Sequence, residues 1–194
     1  MEKKLAPHFL KHDLRREIEY WRFLMSKRSA GVLPYRKRSG QFEVLLVHPG
    51  GPFWAKKDFG AWSVAKGEYE QDEDAFQAAL REFKEETGHT PEGPFLQLTQ
   101  RKQPSGKIVD AWAAETDWDP SKLVSNTFSI EWPKGSGKVQ DFPEVDRAEW
   151  FSFSEAARRI LPGQRGFLEE LFEKLTGGKI PESPPLPPTQ PSLF

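Results

Sequence analysis

The spacing of apolar residues divides the chain into a helical beginning and a strand-rich middle. Residues 7–27 carry apolar side chains at every third or fourth position, which predicts an amphipathic helix: Leu10, Leu14, Ile18, Trp21 and Met25. Residues 31–36 and 42–48 are short runs of β-forming residues, and the glycine-containing turn between them predicts a hairpin. Pro34 inside the first run predicts an edge strand or a bulge.

The remainder of the chain predicts a sheet with helices on both of its faces. Further strands are expected at residues 62–65, 95–101, 107–114, 126–132 and 147–152. Helices are expected between Asp74 and a stop at Gly88, after a cap at Ser154, and over residues 165–175. Strands outnumber helices, and the helices fall where they cover both faces. The predicted fold class is therefore α/β, with α/β/α layering.

Two stretches interrupt this pattern with glycine and proline. Residues 49–60, PGGPFWAKKDFG, form a loop that carries aromatic residues and two lysines, and loops of this length are often functional. The end of the chain, PESPPLPPTQPSLF, predicts an extended tail. The expected organisation is an N-terminal helical extension at residues 1–28, one folded domain at residues 29–176 and a proline-rich tail at residues 177–194.

Composition narrows the chemistry that the chain can perform. The 194 residues include no cysteine, which excludes disulfides, thiolate zinc sites, iron–sulfur clusters and a cysteine nucleophile. No apolar run is long enough for a secretion signal or a bilayer span, so a cytoplasmic protein without a membrane partner is expected. Residues 1–40 hold 11 basic and 4 acidic side chains. The favoured interpretation is a solvated helix face, and the alternative is a surface for a phosphate-rich partner.

The segment at residues 67–88 places three carboxylates on one side of a predicted helix. At about 100° per residue, Glu82, Glu85 and Glu86 fall within one arc, while the apolar residues gather on another. Such a cluster is either solvated or neutralised by a hard divalent cation, and the helix alone leaves both interpretations open. Lysines at positions 56, 57 and 66 add basic groups nearby. Acidic and basic groups together indicate a metal ion and a phosphate group.

The spacing within this segment resembles the Nudix box of the Nudix hydrolases. The matching positions are Gly67, Glu73, Arg81-Glu82, Glu85-Glu86 and Gly88. The departure is His89, where the family usually carries an aliphatic residue. The similarity extends to SAGVLPYR before the box and to PEVDRAEWFSFSEA after it, and so covers residues 29–176. The resemblance implies the Nudix fold, in which a mixed β-sheet is sandwiched between helices.

The resemblance also implies a metal-dependent hydrolase and assigns roles by position. Its cofactor would be Mg²⁺ or Mn²⁺, and the implied ligands are three carboxylates and a backbone carbonyl: Glu82, Glu85, Glu86 and Gly67. Arg81 and Glu73 would orient this cluster. The implied reaction is hydrolysis of a phosphoanhydride bond in a nucleoside diphosphate linked to a further group X.

The residue that takes the proton of the attacking water is left open by the sequence. Glu82 and Glu85 are candidates within the box, and Glu144 is a candidate outside it. Lysine charge stabilises a departing phosphate, and the loop and the box supply three lysines for this purpose: Lys56, Lys57 and Lys66.

Substrate specificity belongs to the loops around the box. The segment WSVAKGE is similar to the dinucleoside polyphosphate hydrolase branch, which favours a dinucleoside polyphosphate or a nucleoside triphosphate; ADP-ribose or an ADP-sugar is the alternative. Phe53 and Trp54 either stack on a nucleotide base or anchor the loop. Trp62 and Phe59 are expected in the core. His48 is expected to be a hydrogen-bonded structural histidine and not a phosphate ligand.

Three other functions are alternatives to hydrolysis of a small nucleotide, and the sequence favours each of them less. A non-catalytic nucleotide-binding Nudix module is disfavoured because every box carboxylate is present. Isopentenyl diphosphate isomerase shares the fold, but its mechanism uses a cysteine, which this chain lacks. Hydrolysis of RNA ends, with RNA held by the basic N-terminal helix, is the less favoured alternative. The same helix offers an apolar stripe for a homodimer.

Overall fold

The fold is described from a computed structural model of the chain. The structure describes residues 27–70 and 72–182. The predicted N-terminal helix and most of the predicted tail lie outside these residues. None of the helices in the described ranges has the length and apolar character needed to cross a bilayer.

Eight strands and three α-helices make up the described chain. The strands are β1 (Arg28–Arg38), β2 (Gln41–Pro49), β3 (Ala65–Glu68), β4 (Phe95–Lys102), β5 (Ile108–Glu115), β6 (Thr127–Glu131), β7 (Val139–Pro143) and β8 (Val145–Ser152). The helices are α1 (Ala75–Thr87), α2 (Phe153–Arg159) and α3 (Arg165–Thr176).

Strand β1 lies at the centre of the main sheet and pairs with three strands. The sheet has six strands in the order β4-β5-β1-β2-β8, with β3 also paired to β1. The β1–β5 pair is parallel and the others are antiparallel, so the sheet is mixed. Because β1 is central, the prediction of an edge strand at Pro34 is wrong. Pro34 lies between Val32, where pairing with β3 ends, and Tyr35, where pairing with β2 begins.

Each face of the sheet is covered by helix, and each has its own apolar core. On one face α1 packs its small and aromatic residues against β1 and β2, through Ala78, Ala79, Phe83, Ala30, Val32 and Leu45. On the other face α2 and α3 pack against the same strands, through Phe153, Ala156, Phe167, Leu171, Leu33 and Val44. The mixed sheet between helices confirms the predicted α/β/α fold. Burial of apolar area on both faces is the main favourable contribution to its stability.

The structure differs from the predicted elements at four places. The strand expected at residues 62–65 starts at Ala65, because Trp62 and Ser63 form only isolated bridges. Strand β7 was not predicted, since its short segment VQDFP ends in proline. Helix α2 is capped by Ser152 and not by Ser154. Phe59 is 47% exposed and lies under arginine guanidinium groups, so its assignment to the core is wrong, whereas Trp62 is buried as expected.

Candidate active site

Helix α1, which carries the predicted carboxylates, is fixed at both ends by its own sequence. The Asp74 carboxylate accepts a hydrogen bond of 2.9 Å from the Gln77 amide, which caps the first turn. At the other end Gly88 adopts φ 75°, and its amide donates to the Lys84 carbonyl at 2.7 Å. The apolar side of α1 is buried against the sheet. The acidic side is therefore held at the margin of the sheet, beside β3.

Strand β3 approaches this acidic side so closely that only glycine fits at one position. A Cβ atom on Gly67 would occupy the space of the Glu82 carboxylate. One residue earlier, the Lys66 amide donates a hydrogen bond of 2.8 Å to Glu86 Oε2. The backbone of β3 and two carboxylates of α1 thus share one small region. Gly67 is required there by the close approach and not by a turn.

Arg81 lies among the carboxylates and pairs with three of them. Its Nε donates to Glu73 Oε1 at 3.0 Å, and its Nη1 contacts Glu82 at 2.5 Å and Glu85 at 3.3 Å. Nη2 reaches the Glu68 carbonyl at 3.4 Å. The hydrogen bonds to Glu73 and Glu82 raise the pKa of the Arg81 guanidinium. This one cation therefore ties the segment before α1 to the acidic side of the helix.

Two of the carboxyl groups, Glu82 and Glu86, have raised pKa values because they are buried close to other acidic groups. Burial raises the pKa of Glu86 to about 8, and the charges of Glu82 and Glu144 add to this effect against the opposing charge of Lys66. Burial also raises the pKa of Glu82, with Glu85 and Glu144 contributing repulsion. Raised carboxyl pKa values are the physical sign of clustered like charges out of water. The site is thus prepared for a cation.

Glu144 reaches the cluster from the opposite side, through a chain of backbone hydrogen bonds. Its amide donates to the Asn126 carbonyl at 2.8 Å, and the Asn126 amide donates to the Glu85 carbonyl at 3.1 Å. The Glu144 carbonyl accepts from the Gly50 amide at 2.9 Å. These bonds join the start of β8 both to the end of α1 and to the glycine loop. The side chain itself is exposed to solvent.

The acidic cluster forms one wall of an open cleft of about 640 Å³. Three aromatic side chains, Phe53, Trp54 and Phe128, also line the cleft, and together they are called the aromatic wall. The cleft is lined by Pro49, Gly50, Phe53, Trp54, Gly67, Glu68, Glu82, Glu85, Glu86, Asn126, Phe128 and Glu144. A lining that combines charged oxygens with aromatic rings suits a ligand with a phosphate end and an aromatic end.

The structure brings only some of the predicted substrate-binding residues to this cleft. Trp54 lines it, and the Lys57 ammonium lies 4.4 Å from the centre of the Trp54 ring. Lys56 is exposed on the same loop and is not part of the wall. Lys66 is partly buried beside the wall, and burial lowers the pKa of its ammonium group. Of the predicted substrate-binding residues, Trp54 therefore lines the cleft, while the three lysines lie outside its lining.

Two further residues that line the cleft, Phe128 and Asn126, are not among the residues predicted from the sequence. Phe128 comes from β6, and Asn126 lies just before it. Strand β6 pairs with β7 in a separate hairpin, and Trp132 at its end packs edge-on against Phe53 with 5.3 Å between ring centres. Gly51, at φ 86°, leaves room for the Phe128 ring, which would lie 2.9 Å from an added Cβ atom. The glycines of the loop were the available signal for this close packing.

The carboxylates of the cleft are the groups that could bind a divalent cation. No three His, Asp or Glu side chains of residues 27–70 and 72–182 converge closely enough to coordinate one ion in their present rotamers. In this arrangement Glu82 and Glu85 both pair with Arg81. The chemistry still fits: the cluster offers several carboxylate oxygens and an open cleft with room for water, and burial together with neighbouring acidic groups raises the pKa of two of its members.

Comparison with known proteins places most of the chain in one family. Residues 25–171 match the NUDIX domain family. A bis(5'-nucleosyl)-tetraphosphatase (asymmetrical) from Caenorhabditis elegans is 38% identical over 68 residues, which cover 35% of this chain and 45% of that protein. The aligned segment thus spans less than half the length of this relative.

Solved structures show the same fold. The crystal structure of a C. elegans Ap4A hydrolase binary complex superposes with a TM-score of 0.50 at 25% identity, covering 78% of this chain and 99% of that one. The NUDIX domain of Shewanella oneidensis NrtR, crystallised with ADP ribose, gives a TM-score of 0.52 at 18% identity over 78% of this chain and 89% of that one. With more than half of its length matched, and with a box spacing met at every fixed position, the chain belongs to the Nudix family.

Proposed function

We propose that this protein hydrolyses a phosphoanhydride bond of a nucleoside diphosphate linked to a further group, with Mg²⁺ or Mn²⁺ as cofactor. The observation that carries the proposal is the cleft, in which five glutamates face an aromatic wall and burial with like charges raises the pKa of Glu86 to about 8. A phosphate chain alone would be repelled by such a wall. A divalent ion between the wall and the phosphates removes the repulsion.

The proposed ligands are Glu82, Glu85 and Glu86, together with the backbone carbonyl of Gly67. When bound, the ion neutralises the diphosphate and acidifies the attacking water. Arg81 bridges Glu73, Glu82 and Glu85, so we assign it and Glu73 to orienting the ligands. Side chains that hold ligands in place matter nearly as much as the ligands themselves.

Glu144 is the residue that we propose as the acceptor of the water proton. It lines the cleft opposite α1, and its side chain is exposed. The two alternative bases, Glu82 and Glu85, already accept hydrogen bonds from Arg81. A base needs a free lone pair directed at the water, which favours Glu144 over these two.

The aromatic wall is proposed to hold a nucleotide base, with Trp54 as the stacking residue. Stacking on an aromatic ring contributes about 1–3 kcal/mol per base and tolerates different bases. Lys57 lies against the Trp54 ring, and together with Lys56 and Lys66 it supplies positive charge around the phosphates. A dinucleoside polyphosphate is the favoured substrate, because the C. elegans relatives are named for the hydrolysis of such compounds.

A substrate panel tests the proposal. The purified chain is incubated with diadenosine polyphosphates, nucleoside triphosphates, ADP-ribose and 5'-triphosphorylated RNA, each with Mg²⁺, Mn²⁺ or EDTA. We expect release of a nucleoside phosphate from at least one dinucleoside polyphosphate, and no release in EDTA. Hydrolysis in ¹⁸O-labelled water shows which phosphorus atom receives the oxygen. Nucleotide binding with no turnover of any compound would contradict the proposal and support a binding module.

Glu86→Gln is the variant that tests the ligand assignment. It keeps the size of the side chain but removes the charge and one proton acceptor. We expect the metal-dependent rate to fall by more than about 100-fold with the fold intact, because a carboxylate ligand is lost. Glu173→Gln on the exposed side of α3 is the matched control and should keep wild-type activity. Near-native turnover by Glu86→Gln would refute the assignment.

A further inference from the structure

The end of β2 holds a histidine whose two ring nitrogens both face oxygen atoms. His48 Nδ1 lies 2.7 Å from Asp146 Oδ1, and Nε2 lies 2.8 Å from the Lys57 carbonyl oxygen. The side chain is fully buried, and the Trp62 ring packs edge-on against it with 5.2 Å between ring centres. Both distances are those of good hydrogen bonds. The expectation of a hydrogen-bonded structural histidine is confirmed.

The two partners determine how many protons this pair of side chains must hold. A carbonyl oxygen and a carboxylate are both acceptors, so each ring nitrogen needs a hydrogen for both bonds to exist. The His48–Asp146 pair therefore holds one proton more than a neutral imidazole beside a carboxylate would hold. If that proton is lost, one ring nitrogen becomes an acceptor. It then faces a second acceptor, which is either the Asp146 carboxylate or the Lys57 carbonyl oxygen.

The Lys57 carbonyl connects this proton to the aromatic wall of the cleft. The Lys57 amide donates a hydrogen bond of 2.7 Å to the Trp54 carbonyl, and the Lys57 ammonium lies 4.4 Å from the centre of the Trp54 ring. On the other side, Asp146 belongs to β8, two residues after Glu144. His48 thus links the loop that carries Trp54 to the strand that follows Glu144.

Other charged groups surround the pair on every element that packs against it. From β8, Arg147 Nε lies 3.5 Å from Asp146, and its guanidinium lies 5.2 Å from the centre of the Trp62 ring. From the loop, Asp58 accepts a hydrogen bond of 2.8 Å from Trp62 Nε1. From α2, Arg159 forms an ion pair with Asp58. Asp58 is a second anchor of the loop, but its partners do not titrate near neutral pH.

We propose that His48 is a positioning residue, whose bound proton holds residues 49–60 in the arrangement that places Trp54 against the substrate. This inference rests on the proposed function, because it concerns the same cleft. Loss of this proton removes one of the two hydrogen bonds of His48, and substrate affinity falls. The reacting atoms are not touched by His48, so turnover of bound substrate is unaffected.

The variant Asp146→Asn removes the need for the extra proton while it keeps both hydrogen bonds of His48. An asparagine amide donates to the unprotonated Nδ1 of a neutral imidazole, whose Nε2–H still reaches the Lys57 carbonyl. Both bonds then form without the extra proton. Between about pH 6 and about pH 8.5, we expect the ratio of the wild-type KM to the Asp146→Asn KM to rise roughly 2- to 10-fold, because the wild type loses one hydrogen bond. The ratio of the two kcat values should stay constant.

Two further variants complete the test. His48→Gln keeps a neutral donor in place of Nε2 and cannot titrate, so its KM should exceed the wild-type KM at about pH 6 and approach it at about pH 8.5. Asp58→Asn weakens the second anchor, and its KM should differ from wild type by a factor that does not change with pH. A constant ratio of wild-type to Asp146→Asn KM, or a pH effect confined to kcat, overturns the proposal.

Nitrogen NMR of the free protein gives an answer that needs no activity. The chain has four histidines, and the His48 ring signals are identified by their loss in His48→Gln. We expect both ring nitrogens to carry a proton at the lower pH, where both hydrogen bonds form, and one of them to have lost it at the higher pH. A neutral ring at the lower pH, or no change across the range, overturns the proposal. If no compound of the panel is hydrolysed, the proposed function fails while this measurement stands.

Discussion

The two walls of the cleft are built in different ways. The acidic wall comes from one helix and the strand before it, which lie within residues 65–87 and are ordered by caps and by Gly67. The aromatic wall comes from residues 49–60 and from the β6–β7 hairpin, which meet only through contacts such as Phe53 with Trp132. A wall made from one continuous segment fixes its chemistry locally. A wall made from distant segments depends on the whole fold to assemble.

This difference suggests a division of labour between the walls. The acidic wall contains the groups that serve any diphosphate, whereas the aromatic wall contains the groups that distinguish one nucleotide from another. Changes in the first should therefore abolish catalysis, and changes in the second should alter substrate affinity. Three predictions test this division, in order of decreasing effect.

Gly67→Ala should damage the acidic wall most. The new Cβ atom needs the space of the Glu82 carboxylate, so Glu82 and the β3 backbone must separate. We expect activity and Mn²⁺ affinity to fall about 10- to 100-fold, which is the usual effect of displacing a ligand environment. Mn²⁺ binding is measured by electron paramagnetic resonance, and activity with the best substrate of the panel.

Gly178→Ala is the control for this substitution, because an added Cβ atom there meets only Thr176 Oγ1 at 3.6 Å. It should bind Mn²⁺ and turn over substrate like the wild type. If Gly67→Ala behaves in the same way, the close approach of β3 to Glu82 has no role in the site.

Trp54→Ala should affect the aromatic wall with a smaller and different result. We expect KM to rise about tenfold with little change in kcat, since stacking contributes about 1–3 kcal/mol per base. Phe59→Ala is the matched control, because Phe59 lies on the same loop but packs under arginines of α2. A loss confined to kcat in Trp54→Ala would mean that the two walls do not divide the work as described.

The pH dependence of stability should show the smallest effect. Glu86 has an ordinary pKa of 4.5 and a folded-state pKa of about 8, so the folded protein holds this proton more tightly than the unfolded protein does. The stability that this provides is complete below about pH 4.5 and is lost as pH rises to about 8. In EDTA, we expect the wild-type Tm to fall by about 3–6 °C between pH 5 and pH 8 relative to Glu86→Gln.

Mg²⁺ should reverse this loss at the higher pH, because the ion replaces the proton at the same oxygens. Calorimetry of both proteins at three pH values, with and without the ion, is sufficient. A Tm difference that is independent of pH would show that Glu86 does not titrate in this range.

The elements with a strong local signal were the ones that the sequence predicted well. Helix α1 was bounded correctly by Asp74 and Gly88, because a side-chain cap and a left-handed glycine are local devices. The box spacing likewise predicted the family. The start of β3 is shifted from the prediction because its partner strand β1 is far away in sequence, and β7 is missed because its short segment ends in proline.

The candidate site follows the same rule. The glutamates of α1 are candidates because of their spacing and of the family resemblance, and Glu144 is a candidate because of its place in a loop. The position of Arg81 among them, and the packing of Phe128 against Gly51, are tertiary contacts that no local pattern contains. Phe59 shows the reverse error, because an aromatic residue in a loop was assigned to the core when a neighbouring pair of arginines covers it instead.

The guanidinium group of Arg81 affects how the folding of this protein is related to the binding of a metal ion. Arg81 is part of the chain and already pairs with acidic side chains of α1 and of the segment before it. Helix α1 can therefore pack against the sheet before any ion from solution binds. Under the proposed function, we expect folding and metal uptake to be separate events, in contrast to small domains that fold only around their metal. We then expect the purified apoprotein to accept either magnesium or manganese and to exchange one for the other.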